Sequence, residues 1–172
     1  MTIATSRTLI VPYTEQLEHD FILLNCCATN RAEMNGPHSI SSAKRLFQEL
    51  LVGEKHFARA VIDNSTREFI GHLAISNYEG EFELCFLIDK AHWGKGIATE
   101  VLRPFFSMAC FELEIGDVFA TVNTHHEASI KLLEKLGFNY QETKQDSFGP
   151  YYHYQFLTVA ESTSYAAVAQ SA

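Results

Sequence analysis

The chain has 172 residues, of which 47% are hydrophobic and 20% charged, and its formal net charge at pH 7 is −8. This composition is typical of a folded, water-soluble protein, and the negative charge argues against general nucleic-acid binding, which needs a basic face. The charge weakly favours a cationic or amine-bearing partner. No stretch approaches the ~20 consecutive apolar residues of a membrane-spanning helix. We therefore expect a single domain over 1–172 with no nucleic-acid or membrane partner.

The amino-terminal segment and the cysteines both bear on the compartment. Residues 1–7 lack the apolar core of a secretory signal, which predicts a cytoplasmic protein. No pair of cysteines has metal-ligand spacing, so we expect reduced, buried thiols and no metal site. The cysteines are Cys26, Cys27, Cys85 and Cys110.

The first part of the chain predicts a strand and two helices. Arg7–Tyr13 alternates as a strand does, and Thr14 is a candidate N-cap for the helix that follows. Asn35-Gly36-Pro37 predicts a turn. Ser41 or Ser42 then opens the second helix.

Three strands follow in close succession. They are predicted over His56–Ile62, Phe69–Ser76 and Phe82–Asp89. The segments between them, Asp63–Ser65 and Tyr78–Gly80, are rich in turn formers. Strands joined by such tight turns predict an antiparallel meander.

A glycine-containing turn, Trp93-Gly94-Lys95-Gly96-Ile97-Ala98-Thr99, comes after the third of these strands. A helix is predicted from near Lys95 to near Glu112, with a bend at Pro104. The first amides of a helix lack partners inside the helix, and together with the helix dipole they favour an anion. A Gly-x-Gly pair alone is a weak signal, because most such pairs are ordinary turns. In this strand–turn–helix context we infer a pyrophosphate site.

The remaining elements are a strand, a helix and a strand pair. Val118–Val122 predicts the strand, and the capping-box pattern Thr124-x-x-Glu127 places the first helical turn at His125. Gly137 is a natural helix stop.

The chain is predicted to close with strands over Asn139–Glu142 and Tyr152–Val159, separated by a loop over Gln145–Tyr151. The segment 161–172 carries few large apolar groups and is expected to be mobile. The meander followed by strand–helix–strand predicts an α+β fold: a mixed, mostly antiparallel twisted sheet flanked by helices.

Two signatures resemble the GNAT superfamily of acyl-CoA-dependent N-acetyltransferases. One is Trp-Gly-Lys-Gly-Ile-Ala-Thr-Glu at 93–100, and the other is Ala-Ser-Ile…Leu-Glu-Lys-Leu-Gly-Phe at 128–138. The chain is most similar to the branch containing the ribosomal-protein alanine and serine N-terminal acetyltransferases. The resemblance implies a GNAT-like fold, acetyl-CoA as cosubstrate, and direct acetyl transfer to a primary amine. The amine would belong to a small molecule or to a peptide or protein N-terminus.

The same resemblance implies where the two substrates bind. The acceptor would lie beside Met34, Asn35 and His38, although a plain surface turn explains these residues equally well. The expected cofactor-binding residues are Phe86, Leu87, Ile88, Gly94, Lys95, Gly96, Ile97, Ala98, Thr99, His126 and Ser129.

Glu83 is the first candidate for the general base, and Glu81 is the second. A carboxylate partly buried beside an apolar pocket has a raised pKa, which suits a base at neutral pH. The alternative for Glu83 is an ordinary solvated charge on a strand.

Ser129 is the candidate for stabilising the departing thiolate. Many members of the resembled superfamily use a tyrosine one turn later on this helix, where this chain has Leu133. His126 departs from the resembled pattern, which has asparagine there to bind the cofactor arm. It could hold the arm through one hydrogen bond or act as the base in place of Glu83.

Two classes of function therefore stay open. One is an enzyme that acetylates a protein N-terminus, an amino acid, a polyamine or an aminoglycoside. The other, motivated by His126, is a non-catalytic acyl-CoA-binding or interaction module on the same fold. The sequence leaves the choice between monomer and homodimer undecided.

Overall fold

A single mixed sheet is the centre of the fold in the computed structural model, which describes residues 1–157. Its strands are β1 (Ile3–Ala4), β2 (Thr8–Pro12), β3 (His56–Asp63), β4 (Phe69–Tyr78), β5 (Glu81–Ile88), β6 (Asp117–Asn123), β7 (Asn139–Asp146) and β8 (Gly149–Leu157). The helices are α1 (Glu18–Asn25), α2 (Ile40–Val52), α3 (Ile97–Leu113) and α4 (Glu127–Leu136). None of the helices in 1–157 is long and apolar enough to cross a membrane.

The strand order is β1-β2-β3-β4-β5-β6-β8-β7. All neighbouring strands are antiparallel except β5 and β6, which run parallel. The predicted meander of β3, β4 and β5 is confirmed, and α3 makes the crossover between the two parallel strands. The predicted α+β class with a mostly antiparallel mixed sheet is therefore confirmed.

The parallel strands β5 and β6 separate along their length. They are in register only at Glu83 and Phe119, whereas β4 and β5 are in register from Gly71–Ile88 to Tyr78–Glu81. Backbone groups beyond Glu83 on β5 and beyond Phe119 on β6 thus face a gap in the sheet. This gap positions the candidate site.

Successive side chains of β4 point to opposite faces of the sheet, so the core is divided between these two faces. Leu73 and Ile75 pack in the larger core with α3 and α4. Ala74 points to the other face, where it packs with Phe21 of α1 and Phe47 of α2. The helices α1 and α2 therefore cover one face of the sheet, and α3 and α4 cover the other.

The predicted starts of the first two helices are wrong by a few residues. Thr14 makes no side-chain capping bond, and a short 3₁₀ turn precedes α1, which begins at Glu18. The second helix begins at Ile40 because the Ser39 hydroxyl accepts a hydrogen bond from the Ser42 amide at 3.1 Å. Ser39, in extended conformation, is thus the N-cap, ahead of the predicted serines.

The third helix begins two residues later than predicted. Gly96 adopts a left-handed conformation with φ of +75°, so the helix starts at Ile97 rather than near Lys95. It continues through Pro104 to Leu113. The first turn keeps its helical structure, as the pyrophosphate interpretation requires.

The predicted capping box at the start of α4 is wrong. The helix begins at Glu127, its N-cap is His126, and no side chain caps it. The His126 amide bonds the Asn123 carbonyl at 3.0 Å, and this tight turn moves Thr124 away from the helix end. The predicted stop at Gly137 is confirmed, with φ of +106° in the left-handed region.

The closing strand pair is longer than predicted. The strands β7 and β8 meet at a short turn, closed by the Phe148 amide bonding Asp146 Oδ1 at 2.8 Å. Most of the predicted loop Gln145–Tyr151 is therefore strand, because all of its residues except Ser147 and Phe148 gain a cross-strand partner. The strand β1 was not predicted. Val159 and the segment 161–172 lie outside the described residues.

The four cysteines are free thiols, as expected, but all are partly exposed rather than buried. Cys110 lies on α3, and burial nevertheless raises the pKa of its thiol to about 11. Burial, followed by the nearby Glu83 carboxylate, raises the pKa of Cys85 to about 12. Both thiols are therefore protonated and unreactive at neutral pH.

Candidate active site

A cavity of about 1140 Å³ runs through the gap between β5 and β6. The glycine turn before α3 lies along it, and the first turn of α4 forms another wall. The loop between α1 and α2 also lines the cavity. Every candidate residue predicted from the sequence lines this cavity except Lys95 and Glu81. The structure therefore brings together groups that are far apart in the chain.

The glycine turn has the backbone conformation that its sequence requires. Gly94 and Gly96 both have left-handed φ angles, +72° and +75°. A side chain at Gly94 would meet no atom within 4 Å, so backbone angle rather than space makes glycine necessary there. The turn presents the unpaired amides of α3 to the cavity, an arrangement suited to a phosphate group.

Arg7 and Glu100 fix this turn to the amino-terminal strand. Arg7 Nη1 donates to the Lys95 carbonyl at 2.7 Å, and Arg7 Nε donates to Glu100 Oε1 at 3.1 Å. Burial alone would raise the pKa of Glu100, but hydrogen bonds from Ser6, Thr5 and Arg7 lower it to about 2. Sequence reasoning missed Arg7 because 93 positions separate it from Glu100.

The side walls of the gap are apolar on β5 and mixed on β6. Phe86, Leu87 and Ile88, which the resemblance implies as cofactor-binding residues, line the cavity from β5. Ala120 and Thr121 face them from β6. A narrow channel between two strand edges can hold an extended chain, because the unpaired backbone groups on both edges can hydrogen-bond it.

Glu83 lies where the gap begins. Burial raises the pKa of its carboxyl group, and a hydrogen bond with Thr121 partly opposes that rise. The direction is the one expected from the sequence, and the cause is the apolar surroundings of β5. Glu81, the second candidate, is exposed and does not line the cavity.

His126 and Ser129 lie one turn apart at the start of α4. Their Nε2 and Oγ atoms are 3.4 Å apart. Burial lowers the pKa of His126, with nearby Glu33 opposing the effect, so the ring is neutral at pH 7. Leu133, at the position of the superfamily's tyrosine, is fully buried.

The loop between α1 and α2 places Met34, Asn35 and His38 beside the cavity. Arg31 shapes this loop, since its guanidinium donates to the carbonyls of Met34 at 2.7 Å and Gly36 at 2.8 Å. Asn35 has a φ of +65°, a left-handed conformation that asparagine adopts more readily than most residues with a side chain. Sequence reasoning missed Arg31, because nothing local marks an arginine that binds its own loop.

Glu33 joins this loop to the other side of the cavity. Its carboxylate accepts from Asn123 Nδ2 at 2.9 Å and contacts His125 Nε2 at 2.9 Å. Burial would raise the pKa of Glu33, but these hydrogen bonds lower it. The Asn123 amide is thus already engaged by Glu33.

Polar side chains on β3 and β4 form the floor of the cavity. His56, His72, Ser76 and Tyr78 all line it, and none was predicted as a site residue. Burial lowers the pKa of His72 to about 3, so this ring is neutral. No group of acidic, histidine or cysteine residues within 1–157 has the arrangement of a metal site.

A family model described as an acetyltransferase (GNAT) domain matches residues 7–139. The chain belongs to the GNAT acetyltransferase family. The match includes the glycine turn, the gap and all of α4, which line much of the cavity.

Two curated relatives of this GNAT chain come from Bacillus subtilis (strain 168). The protein named "Uncharacterized protein YkkB" is 31% identical over 85 residues, covering 47% of this chain and 49% of the relative. "Probable N-acetyltransferase YjcK" is 31% identical over 97 residues, covering 54% of each. The chain thus spans about half the length of the curated relatives it matches.

Solved GNAT structures share the fold at low sequence identity. An acetyltransferase (GNAT family) from Bacillus anthracis has a TM-score of 0.77 at 17% identity, covering 91% of this chain and 98% of the other. Spermidine N-acetyltransferase from Vibrio cholerae, in complex with CoA and spermine, has a TM-score of 0.78 at 15% identity, with coverages of 88% and 96%. Ribosomal-protein-S5-alanine acetyltransferase from Vibrio fischeri has a TM-score of 0.76 at 13% identity, with coverages of 92% and 97%.

Proposed function

We propose that this protein is an N-acetyltransferase that moves the acetyl group of acetyl-CoA directly to a primary amine. The observation that carries the proposal is the continuous cavity from the glycine turn to Glu83. One end offers unpaired helix amides for a pyrophosphate, and the other offers a partly buried carboxylate for an amine. A molecule with a phosphate group at one end and a reactive acyl group at the other would place the phosphate on the helix amides and the acyl group near Glu83.

Acetyl-CoA would bind with its pyrophosphate on the amides of Gly94–Thr99 and its arm in the gap between β5 and β6. His126 would hold the arm through one hydrogen bond. Lys95, which is exposed beside the turn, would reach a phosphate from outside the cavity. No metal takes part in this proposal.

The transfer needs a neutral acceptor amine. Glu83 is proposed to produce it by accepting a proton from the ammonium form. Its raised pKa makes it a stronger base than an ordinary carboxylate, and it lies at the vertex of the gap. The amine nitrogen then attacks the thioester carbonyl, the C–N bond forms, the C–S bond breaks, and the second proton lost by the nitrogen passes to the departing sulfur to give the thiol. Ser129 would donate a hydrogen bond to the departing thiolate, because Leu133 offers no proton.

The acceptor would enter beside Met34, Asn35 and His38. One solved relative of the fold is a spermidine acetyltransferase and another acts on a ribosomal-protein alanine, so the family includes both small amines and protein termini. We propose a small amine or a peptide N-terminus for this chain, with the ribosomal-protein branch as one candidate. The oligomeric state stays undecided between monomer and homodimer.

The remaining parts of the proposal concern the whole chain. We propose one acetyltransferase domain over 1–172 and a cytoplasmic location, where acetyl-CoA and reduced thiols coexist. The alternative function is a non-catalytic acyl-CoA-binding module. His126 is the residue that favours this alternative. It can offer the cofactor arm one hydrogen bond, whereas the asparagine of the resembled pattern offers both groups of its side-chain amide.

Thiol release from acetyl-CoA, measured with a panel of N-terminal peptides, polyamines, amino acids and aminoglycosides, tests the two functions. The enzyme should release CoA in proportion to acetylated product detected by mass spectrometry. Calorimetric binding of CoA with no release for any acceptor would favour the binding module. Absence of CoA binding would remove both.

A further inference from the structure

A row of polar side chains crosses three neighbouring strands below the cavity. Glu83 on β5 is directly opposite Ser76 on β4, and Ser76 is directly opposite His56 on β3. Residues directly opposite in an antiparallel pair point to the same face, with Cβ atoms about 4.5–5.5 Å apart. The three side chains therefore lie side by side on the face that α1 and α2 cover, and all three line the cavity.

The row continues from His56 to the protein surface. Ser76 Oγ lies 2.6 Å from His56 Nδ1, and His56 Nε2 lies 3.4 Å from Glu49 Oε2 on α2. Ser76 and His56 are each 6% exposed, whereas the Glu49 side chain is 47% exposed. The two ring nitrogens of His56 thus connect a buried hydroxyl to a carboxylate in contact with solvent.

We propose that Ser76, His56 and Glu49 form a proton relay that carries the acceptor amine's proton from Glu83 to solvent. This inference rests on the proposed acetyl transfer and on Glu83 as its base. The reaction converts an ammonium acceptor and acetyl-CoA into an amide, a thiol and one free proton. Glu83 is half-buried in the wall of the cavity, and the row of side chains offers its proton a route through the protein.

Each step of the relay balances. The Glu83 carboxyl passes its proton to Ser76 Oγ while the Ser76 hydroxyl proton moves to His56 Nδ1. His56 gives its Nε2 proton to Glu49, which exchanges it with water. The route returns Glu83 to the carboxylate form and leaves His56 protonated on Nδ1. Loss of that proton to water and gain of a water proton at Nε2 then restore the original tautomer for the next acceptor.

The surroundings of His56 keep its ring neutral, as a relay requires. Burial lowers the pKa of His56, and the charge of Lys55 adds to this effect, while Glu49 opposes it. Other titratable groups on this face include His72, which is neutral, Tyr78, whose pKa is raised by burial and by Glu83, and Cys85, whose pKa burial raises to about 12. A neutral imidazole can accept at one nitrogen and donate at the other.

The test compares the steady-state turnover (kcat) of Ser76→Ala, His56→Gln and Glu49→Gln at low buffer concentration, because the relay returns Glu83 to the carboxylate form between turnovers. Ser65→Ala and Glu54→Gln are matched controls, because both positions are exposed and lie away from the cavity. The relay predicts a loss of about tenfold in rate for Ser76→Ala and His56→Gln, and a smaller loss for Glu49→Gln, which water can replace. Calorimetric CoA affinity should be unchanged.

Chemical rescue separates a relay from a structural role. Imidazole or another small buffer that reaches the cavity should restore most of the rate of Ser76→Ala and His56→Gln, but not that of Glu83→Gln. The solvent deuterium isotope effect should also change in the relay variants. Wild-type rates in Ser76→Ala, or a loss that no buffer restores, would overturn the relay.

The outcomes also distinguish the relay from the function on which it rests. A wild-type protein that acetylates no acceptor contradicts the proposed function itself. An active wild type with an equally active Glu83→Gln variant contradicts Glu83 as base and the relay with it. A slow Glu83→Gln beside a fully active His56→Gln contradicts only the relay.

Discussion

Glu83 and Phe119 form the one registered pair that joins β5 to β6. The two parallel strands separate beyond this pair, so the carboxylate stands at the vertex of the gap in which the cavity lies. Its position explains why burial raises its pKa while it still reaches the cavity.

Glu83→Gln keeps the shape of the side chain and removes its basicity. We expect turnover at neutral pH to fall about tenfold to a hundredfold, with partial recovery at higher pH, where free amine is abundant. The kcat/KM of the wild type should fall as the pH drops through the raised pKa of Glu83, because the protonated acid is not a base. Initial rates across pH measure both effects.

A stability measurement accompanies this variant. An acid whose folded pKa is raised makes the folded state less stable as pH rises above its ordinary pKa. Glu83→Gln should therefore raise the melting temperature at pH 7 relative to wild type, and the gain should shrink at acidic pH.

In the rate experiment, a pH–rate profile of Glu83→Gln identical to that of the wild type would return Glu83 to the role of a surface charge.

Gly96→Ala should weaken CoA binding. The φ of +75° at Gly96 strains any residue with a side chain, so the turn must shift to relieve it and its amides move away from the pyrophosphate. Gly80→Ala is the matched control, since Gly80 has a φ of +92° in a turn away from the cavity and has no atom within 4 Å of an added Cβ.

Calorimetry on both glycine variants should show a loss of about tenfold or more in CoA affinity for Gly96→Ala only. Both variants should lose about 1 kcal/mol of folding stability, which is the cost of a left-handed conformation in an L-residue. Equal CoA affinity in the two variants would show that the pyrophosphate binds elsewhere.

Ser129→Ala removes the one hydroxyl that the first turns of α4 offer near the expected thiolate. We expect the single-turnover rate to fall about tenfold to a hundredfold, or about 1.4–2.7 kcal/mol of transition-state stabilisation, with CoA affinity nearly unchanged. Rapid-quench kinetics measure the rate. An unchanged rate would mean that the thiolate leaves without help from this helix.

His126→Asn separates the two roles that the sequence leaves open for this residue. If the histidine holds the cofactor arm, asparagine should retain or improve acetyl-CoA affinity and keep turnover. Loss of turnover with normal affinity would make His126 the base in place of Glu83. Calorimetry and thiol release on the same protein sample decide between them.

Glu100→Gln should lower stability in a pH-dependent way. The folded pKa of about 2 lies below the ordinary value, so the carboxylate stabilises the fold fully above pH ~4.5 and loses this effect as pH falls towards 2. The variant should lose about 1–2 kcal/mol at pH 7, because charged hydrogen bonds to Thr5, Ser6 and Arg7 are removed.

Thermal unfolding of Glu100→Gln against wild type measures this loss, and the difference should disappear near pH 2. Glu54→Gln, at an exposed position, is the control and should unfold as wild type does. A difference that is the same at every pH would show that Glu100 acts by packing and not by charge.

The sequence alone determined the fold class and the backbone conformation of the glycine turn. The glycine turn, the stop at Gly137 and the meander depend on backbone preferences within a few residues, and such local preferences can be read along the chain. The signatures at 93–100 and 128–138 predicted the family, which the match over 7–139 confirms.

Only the tertiary structure decided which distant groups meet. The gap after Glu83, the Arg7–Glu100 bond and the bridge from Glu33 to Asn123 join residues up to 93 positions apart, and no local pattern encodes such pairs. The capping box failed for the same reason. Thr124 and Glu127 have the right spacing, but the turn at Asn123 moves Thr124 away from the helix end, so tertiary contacts overrode the local preference.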